Sequence, residues 1–186
     1  APNFLINGKM HIVPMVIEES SVVAAASKAA KFWLDKGGFK TTVLATTKIG
    51  QVHFTWKGDS AKLRSFMPSL KLNLIEGVKH ITENMEKRGG GVLDIELIDY
   101  TDQEEGLYQL KASFETCDSM GANFINSCLE EFGKLLPQFI LANDAFTAEE
   151  KKCEVVMCIL SNFTPESLVR AEVSCKVEEL GTIEGM

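Results

Sequence analysis

The sequence predicts an α+β fold, because alternating and helical hydrophobic patterns follow one another as β-α-β-β-α-β between residues 48 and 164. That order is typical of a ferredoxin-like domain, a four-stranded antiparallel sheet with two helices on one face. The flanking segments carry apolar surface that so small a domain does not need. We therefore expect residues 1–47 and 165–186 to belong to a larger α/β domain into which the small domain is inserted.

The first flanking segment contains signs of a hairpin and a helix. Asn7-Gly8 tolerates the positive φ angles of a type I′ turn, and the apolar residues on either side predict a short hairpin. The next apolar stretch predicts a helix at 21–35, buried inside a larger body and capped by Ser20 or Ser21. Both elements are assigned to the larger domain.

The small domain and the return segment contain the remaining predicted elements. In order, these are a strand at 51–56, a helix at 60–88 interrupted at Pro68, strands through Leu93-Ile95-Leu97 and 108–114, a helix at 124–139, a central strand at 155–160 and a last strand at 169–177. The strand at 155–160 is placed in the centre of the sheet because its apolar run is unbroken. The last strand should return to the larger domain.

Composition excludes several classes of function. The net charge of −7 and the pI near 5.1 argue against a nucleic-acid partner. No apolar run reaches the roughly 18 residues that span a bilayer, and the N-terminus lacks a secretion signal, so we expect a cytoplasmic protein without membrane contact. The cysteines form no C-x-x-C pair, which predicts reduced, buried thiols and no metal site; they are Cys117, Cys128, Cys153, Cys158 and Cys175.

The segment from Thr116 to Asn123 has the strongest chemical signal. It connects a strand directly to a helix, so that free backbone N–H groups and the positive end of the helix dipole can bind an anion. Gly121 and Ala122 leave the backbone open to a phosphate, while Asp118 and Asn123 can hydrogen-bond a ribose or a carboxamide. The structural alternative is that Asp118 is an ordinary N-cap. No G-x-G-x-x-G motif supports a Rossmann fold.

Two other segments could take part in chemistry. Gly89-Gly90-Gly91 could hold a phosphate, although its place between a helix and a strand is typical of a connector. Glu18 and Glu19 precede the apolar helix, and a carboxyl held there in an apolar setting could exchange a proton near neutrality. The alternative is that both acids are solvated and are favoured by the helix dipole.

Several of these segments together resemble the 3-hydroxy-3-methylglutaryl-coenzyme A (HMG-CoA) reductase family. They are Pro14-Met15-Val16-Ile17-Glu18-Glu19-Ser20-Ser21, Asp118-Ser119-Met120-Gly121-Ala122-Asn123 and Ile159-Leu160-Ser161-Asn162. In that family a ferredoxin-like nucleotide-binding domain is inserted into a substrate domain, the organisation that periodicity predicts. Class I enzymes carry Asp-Lys-Lys after the last segment, whereas Phe163-Thr164-Pro165-Glu166 resembles class II, the mainly prokaryotic branch.

The resemblance implies an NAD(P)H-dependent four-electron reduction of HMG-CoA to mevalonate and coenzyme A, or the reverse reaction. It implies that Glu19 is catalytic and that Ser21 faces the substrate. The cofactor-binding residues that it implies are Asp118, Met120, Gly121, Ala122, Asn123, Asn126 and Asn162. Family enzymes are dimer-based, so a homodimer or a higher oligomer is expected of the full protein.

Three questions stay open at this stage. The class II lysine, aspartate and histidine motifs do not occur in the sequence, so we expect no reductase activity from this chain alone. Thr82, Glu83 and Glu86 lie beside Lys87 and Arg88, so charge does not decide between NAD and NADP. Ferredoxin-like domains also serve as non-catalytic small-molecule-binding or regulatory modules, and dinucleotide binding would distinguish the two functions.

Overall fold

The structure is a computed structural model that describes residues 1–16 and 19–181. In chain order its elements are β1 (Phe4–Ile6), β2 (Lys9–His11), α1 (Ser20–Leu34), β3 (Lys40–Thr46), β4 (Lys48–Trp56), α2 (Ser60–Gly77), α3 (Lys79–Glu86), β5 (Gly91–Asp99), β6 (Leu107–Glu115), α4 (Ala122–Ala142), β7 (Cys153–Leu160) and β8 (Ser167–Glu172), followed by a 3-10 turn at Val177–Leu180.

The chain divides into two compact units. The central unit is Thr46–Ser167, and the flanking unit combines Ala1–Ala45 with the segment that begins at Leu168. None of the helices in the described ranges is long and apolar enough to cross a membrane.

The central unit is a four-stranded antiparallel sheet with the strand order β5-β6-β4-β7. Strands β4 and β6 lie in the middle of the sheet, and α2 and α4 pack on one face. This is the ferredoxin-like arrangement, so the predicted α+β fold class is confirmed.

The core of the central unit follows the predicted periodicities. Alternate residues of β4 and β6 point toward the helices because side chains alternate across a strand. Residues of α4 at helical spacing pack against these strand residues. The fully buried members of this core include Val52, Phe54, Trp56, Tyr108, Leu110, Phe114, Ile125, Leu129, Phe132 and Leu136.

The predicted break at Pro68 is wrong. Helix α2 continues through Pro68, and the chain turns instead at Val78, where φ is −95° and ψ is 4°. Pro68 removes the N–H that would bond the carbonyl of Arg64, but both residues are exposed, so water can satisfy that oxygen. Val78 is fully buried and separates α2 from α3.

Two strands depart from the expected pattern. A bulge in β5 lies between Val92 and Asp94, so Leu93 is 53% exposed instead of facing the core. The strand predicted for the centre of the sheet, β7, is an edge strand, and among the described residues it pairs with β4 alone. Its apolar run is unbroken because its outward side chains are also apolar; Val156, Met157 and Ile159 are all exposed.

The hairpin of the flanking unit has the predicted turn. Strands β1 and β2 pair antiparallel, with Ile6 opposite Lys9. Between them Asn7 has φ 49° and Gly8 has φ 79°, the two positive angles of a type I′ turn. The hairpin prediction is therefore confirmed.

Two other expectations for the flanking unit are wrong. Within the described residues, α1 packs on β1 and buries only Ala30, and its burial in a larger domain stays a prediction. Glu19 occupies the N-cap position in place of Ser20 or Ser21, and no side chain of the described residues caps the helix. The last strand, β8, ends at Glu172 rather than at residue 177, and it pairs with β3, a strand that the sequence did not reveal.

Candidate functional site

One end of the central sheet brings together most of the predicted cofactor-binding residues. In the strand register, Gly91 lies opposite Glu115 and Gly50 lies opposite Leu160. The first residues of β4 and β5 therefore lie beside the last residues of β6 and β7. Helix α4 begins at this same end, directly after residues 116–121, which we call the binding turn.

The binding turn ends in a left-handed residue that starts the helix. Gly121 occupies the N-cap position of α4 with φ 79° and ψ 7°, and no side chain caps the helix. Asp118 is therefore not an N-cap, and the structural alternative for that residue is wrong. The first N–H groups of a helix have no acceptor within it, and the positive end of the helix dipole lies beside them. This geometry fits a phosphate group.

A buried threonine stabilises the binding turn through hydrogen bonds. Thr116 is 1% exposed, and its hydroxyl donates to the carbonyl oxygen of Ser119 at 2.7 Å. The hydroxyl of Ser119 donates in return to the carbonyl oxygen of Thr116 at 2.7 Å. A Cβ atom at Gly121 would lie only 2.3 Å from the Thr116 methyl carbon, so the turn admits no larger residue there without a shift.

Two charged side chains, Lys48 and Glu115, hydrogen-bond to the binding turn. The ammonium of Lys48 donates to the Thr116 hydroxyl oxygen at 2.7 Å. The Glu115 carboxylate accepts from the Cys117 N–H at 2.7 Å and from the hydroxyl of Thr46. These groups, with the Thr46 hydroxyl contributing most, hold the pKa of the Glu115 carboxyl below its ordinary value.

The glycine-rich turn after α3 packs directly against the binding turn. The Cys117 thiol donates to the carbonyl oxygen of Arg88 at 3.2 Å. A Cβ atom at Gly90 would lie 2.5 Å from the carbonyl oxygen of Glu115. The glycine turn is thus a connector that is close-packed at Gly90. A Cβ atom at Gly91, which pairs with Glu115, would lie 3.2 Å from the Glu86 Cγ atom, so Glu86 lies near the start of the binding turn.

The two predicted asparagines lie close to the end of β7. The Asn126 side-chain oxygen accepts from the Leu160 N–H at 2.9 Å, which ties α4 to the strand. The Ser161 N–H donates to the Ile49 carbonyl oxygen at 2.9 Å, so the chain stays beside β4 as it leaves the sheet. Asn162 follows and is exposed. The structure therefore brings Asn126 and Asn162 to the same end of the sheet as the binding turn.

The predicted catalytic residue lies in the flanking unit. Glu19 is exposed, and its carboxylate accepts from the Ser21 hydroxyl at 2.5 Å. The expectation of an apolar setting is therefore wrong for Glu19 in this structure. Glu18 lies outside the described residues.

Sequence reasoning missed the two charged side chains that hold the binding turn. Lys48 and Glu115 are far apart in sequence, and each has the appearance of an ordinary polar strand residue. Their meeting depends on the register that places Lys48 opposite Phe114, which no pattern along a single strand reveals. The positive φ of 52° at Cys117, which lets the chain reverse here, gave no signal either.

Comparison with known proteins identifies the family. A sequence model described as hydroxymethylglutaryl-coenzyme A reductase matches residues 1–185. The chain belongs to this family. A 3-hydroxy-3-methylglutaryl-coenzyme A reductase from Archaeoglobus fulgidus is 30% identical over 191 residues, which cover 100% of this chain and 41% of that protein.

Solved structures of the family share this fold. A class II HMG-CoA reductase from Streptococcus pneumoniae, bound to NADPH in open conformations, is 33% identical, with a TM-score of 0.69 over 91% of this chain and 38% of that one. A second structure of the Streptococcus pneumoniae reductase is 34% identical with the same TM-score of 0.69. The resemblance to class II is confirmed. The chain spans about two fifths of the length of these relatives, 41% and 38%.

Proposed function

We propose that this chain binds the nicotinamide dinucleotide of a class II HMG-CoA reductase. The reaction is the NAD(P)H-dependent four-electron reduction of HMG-CoA to mevalonate, or its reverse. The observation that carries the proposal is the binding turn: an uncapped, glycine-initiated helix N-terminus, braced from within, in a chain of this family. The NADPH-bound relative from Streptococcus pneumoniae supports it.

The residues around the binding turn have distinct proposed roles. The backbone N–H groups of Ala122 and Asn123 bind phosphate oxygens, because no described side chain caps this end of α4. Asp118 and Asn123 are exposed and hydrogen-bond a ribose or the carboxamide. Met120 is 74% exposed, and its apolar side chain can pack against a planar ring of the dinucleotide.

The asparagines near β7 complete the proposed cofactor site. Asn126 uses its side-chain oxygen on Leu160, so its NH₂ group remains to donate to the cofactor. Asn162 is exposed and can approach the nicotinamide from the end of the sheet. We assign the central unit as the nucleotide-binding domain on this basis.

The flanking unit is proposed as part of the substrate domain. Glu19 there exchanges protons with the carbonyl oxygen of the substrate, and the Ser21 hydroxyl, which now donates to Glu19, faces the hydroxymethylglutaryl group. The full protein acts as a homodimer or a higher oligomer. The 186-residue chain alone holds cofactor without turning over substrate, because the class II lysine, aspartate and histidine motifs are not among its residues.

Titration of the 186-residue chain with NADPH and NADH, followed by nucleotide fluorescence, tests the proposal. Asp118→Ala should weaken binding of the preferred dinucleotide about tenfold, the usual effect of losing one hydrogen bond to a charged group. Gly121→Val should abolish binding, because its side chain collides with Thr116. Asp102→Ala is the matched control, since Asp102 is an exposed acid in the β5–β6 turn at the other end of the sheet.

Two results would contradict the proposal. The first is that the native chain binds neither dinucleotide and Asp118→Ala behaves no differently from Asp102→Ala; the chain would then be a regulatory or structural module. The second is coenzyme A-dependent oxidation of NADPH by this chain alone, which would overturn the roles assigned to the missing motifs.

A further inference from the structure

We propose that Lys48 is a positioning residue for the dinucleotide and acts through Thr116; this inference rests on the proposed function. Lys48 begins β4, and Thr116 follows β6, the neighbouring strand. The Lys48 ammonium donates to the Thr116 hydroxyl oxygen at 2.7 Å and approaches the Thr46 carbonyl oxygen at 3.4 Å. The ammonium of Lys48, on the sheet, is thereby hydrogen-bonded to the first residue of the binding turn, which precedes α4.

The Thr116 hydroxyl can transmit the effect of Lys48 because it has only one proton. That proton is donated to the Ser119 carbonyl oxygen at 2.7 Å, so the hydroxyl can only accept from Lys48. The ammonium can only donate. It therefore favours the orientation of the Thr116 hydroxyl in which the proton points to the Ser119 carbonyl oxygen. Thr116 is 1% exposed, and without Lys48 its lone pair would lose a charged partner in a place that little water reaches.

The same bond fixes the helix N-terminus. The Thr116 methyl carbon fills the space beside Gly121, at 2.3 Å from a Cβ atom built there. A change in the rotamer or position of Thr116 therefore moves the residue that directs the first N–H groups of α4. Since phosphate binding depends on the alignment of those N–H groups, loosening Thr116 weakens binding without removing any group that touches the ligand.

Lys48 also balances the charge at this site. The carboxylate of Glu115, which accepts from the Cys117 N–H, lies at the same end of the sheet. The ammonium of Lys48 favours the ionised form of Glu115 and offsets its negative charge. An anionic ligand approaching the binding turn would meet an unbalanced carboxylate if Lys48 were neutral.

A double-mutant cycle distinguishes positioning from direct contact with a phosphate. Lys48→Met keeps the aliphatic stem, and Thr116→Val keeps the methyl group beside Gly121 while removing the hydroxyl. Each variant of the 186-residue chain should bind NADPH or NADH about tenfold more weakly, from the loss of a charge-assisted hydrogen bond. The double variant should bind dinucleotide no more weakly than the weaker-binding single variant, because both substitutions remove the same Lys48–Thr116 hydrogen bond.

Two further variants make the result specific. Lys48→Arg retains a donor and should bind within about threefold of the native chain, since a guanidinium can still donate to a hydroxyl. Lys111→Met is the matched control: Lys111 is a half-buried strand residue on β6, bonded to Glu96 at 3.3 Å, away from the turn. It should leave dinucleotide affinity unchanged.

Amide hydrogen exchange in the ligand-free chain provides a readout independent of binding. Lys48→Met should speed exchange of the Cys117 and Ser119 amides about tenfold, because these N–H groups bond the Glu115 carboxylate and the Thr116 carbonyl oxygen, next to the two groups that Lys48 holds. Unchanged exchange, unchanged affinity, or additive losses near a hundredfold in the double variant would each overturn the inference. If the turn loosens but the native chain binds no dinucleotide, the proposed function fails, and Lys48 is only a structural brace.

Discussion

The central and flanking units differ in what their apolar side chains contact. In the central unit, apolar residues from the sheet pack against apolar residues from α2 and α4 and are buried. In the described part of the flanking unit, Ala30 is the only buried apolar residue. Apolar residues in the flanking unit that remain exposed include Met10, Ile12, Val16, Val22, Val43, Leu44, Leu168 and Val169.

This contrast shows what hydrophobic periodicity does and does not report. Periodicity identifies the face of a helix or strand that is suited to burial, and in the central unit a second layer is present to cover it. Helix α1 has the same kind of pattern, but β1 alone covers little of it. Burial adds about 25 cal/mol for each Å² of apolar surface removed from water, so the central unit should hold nearly all of the chain's stability.

Truncation of one buried and one exposed phenylalanine should give the largest difference. Phe132 in α4 is 0% exposed, and Phe132→Ala should lower the free energy of unfolding by about 3–5 kcal/mol. Phe32 in α1 is 37% exposed and rests edge-on against Trp33, so Phe32→Ala should cost about 1 kcal/mol. Urea unfolding followed by circular dichroism measures both values. Equal losses would mean that the flanking unit has a core of its own.

Two glycines with the same backbone angle allow a finer comparison. Gly121 and Gly8 both have φ 79°, so alanine suffers the same backbone strain of roughly 1–2 kcal/mol at each. At Gly8 no atom of residues 1–16 or 19–181 lies within 4 Å of a new Cβ atom, whereas at Gly121 the Thr116 methyl carbon lies at 2.3 Å. Gly121→Ala should therefore cost about 1–3 kcal/mol more than Gly8→Ala.

Thermal unfolding of the two alanine variants measures that difference directly. Dinucleotide titration should also separate them, since only Gly121→Ala alters the start of α4. Matching stability losses would show that Thr116 moves aside without cost, and the close packing would then not be what keeps residue 121 small.

The sequence predicted most of the central unit because its signals are local. Alternation gave Tyr108, Leu110 and Phe114 their common face, and helical spacing did the same for Ile125 and Leu129. The failures have physical causes that act across the chain. A bulge turned Leu93 outward, and the exposed position of Arg64 and Pro68 makes a proline tolerable inside the helix.

The candidate site shows the same division between local and long-range information. The binding turn was visible as a strand that runs into a helix through Gly121. The residues that brace it were not, because Lys48 reaches Thr116 across a sheet register 68 positions apart in sequence. The role of Asn162 and the choice of Glu19 over Glu18 came from resemblance alone, and both remain predictions.

The N-caps of the two units should give the smallest difference. At the start of α2 the Asp59 carboxylate accepts from the Ala61 N–H at 2.9 Å, whereas α1 has no side-chain cap and the Ser21 hydroxyl donates to Glu19 instead. Asp59→Ala should therefore lower the free energy of unfolding by about 1 kcal/mol, and Ser21→Ala by no more than a few tenths. Urea unfolding of both variants tests this. A larger loss for Ser21→Ala would mean that the start of α1 is held more firmly than its exposure indicates, and the contrast between the two units would then be one of burial alone.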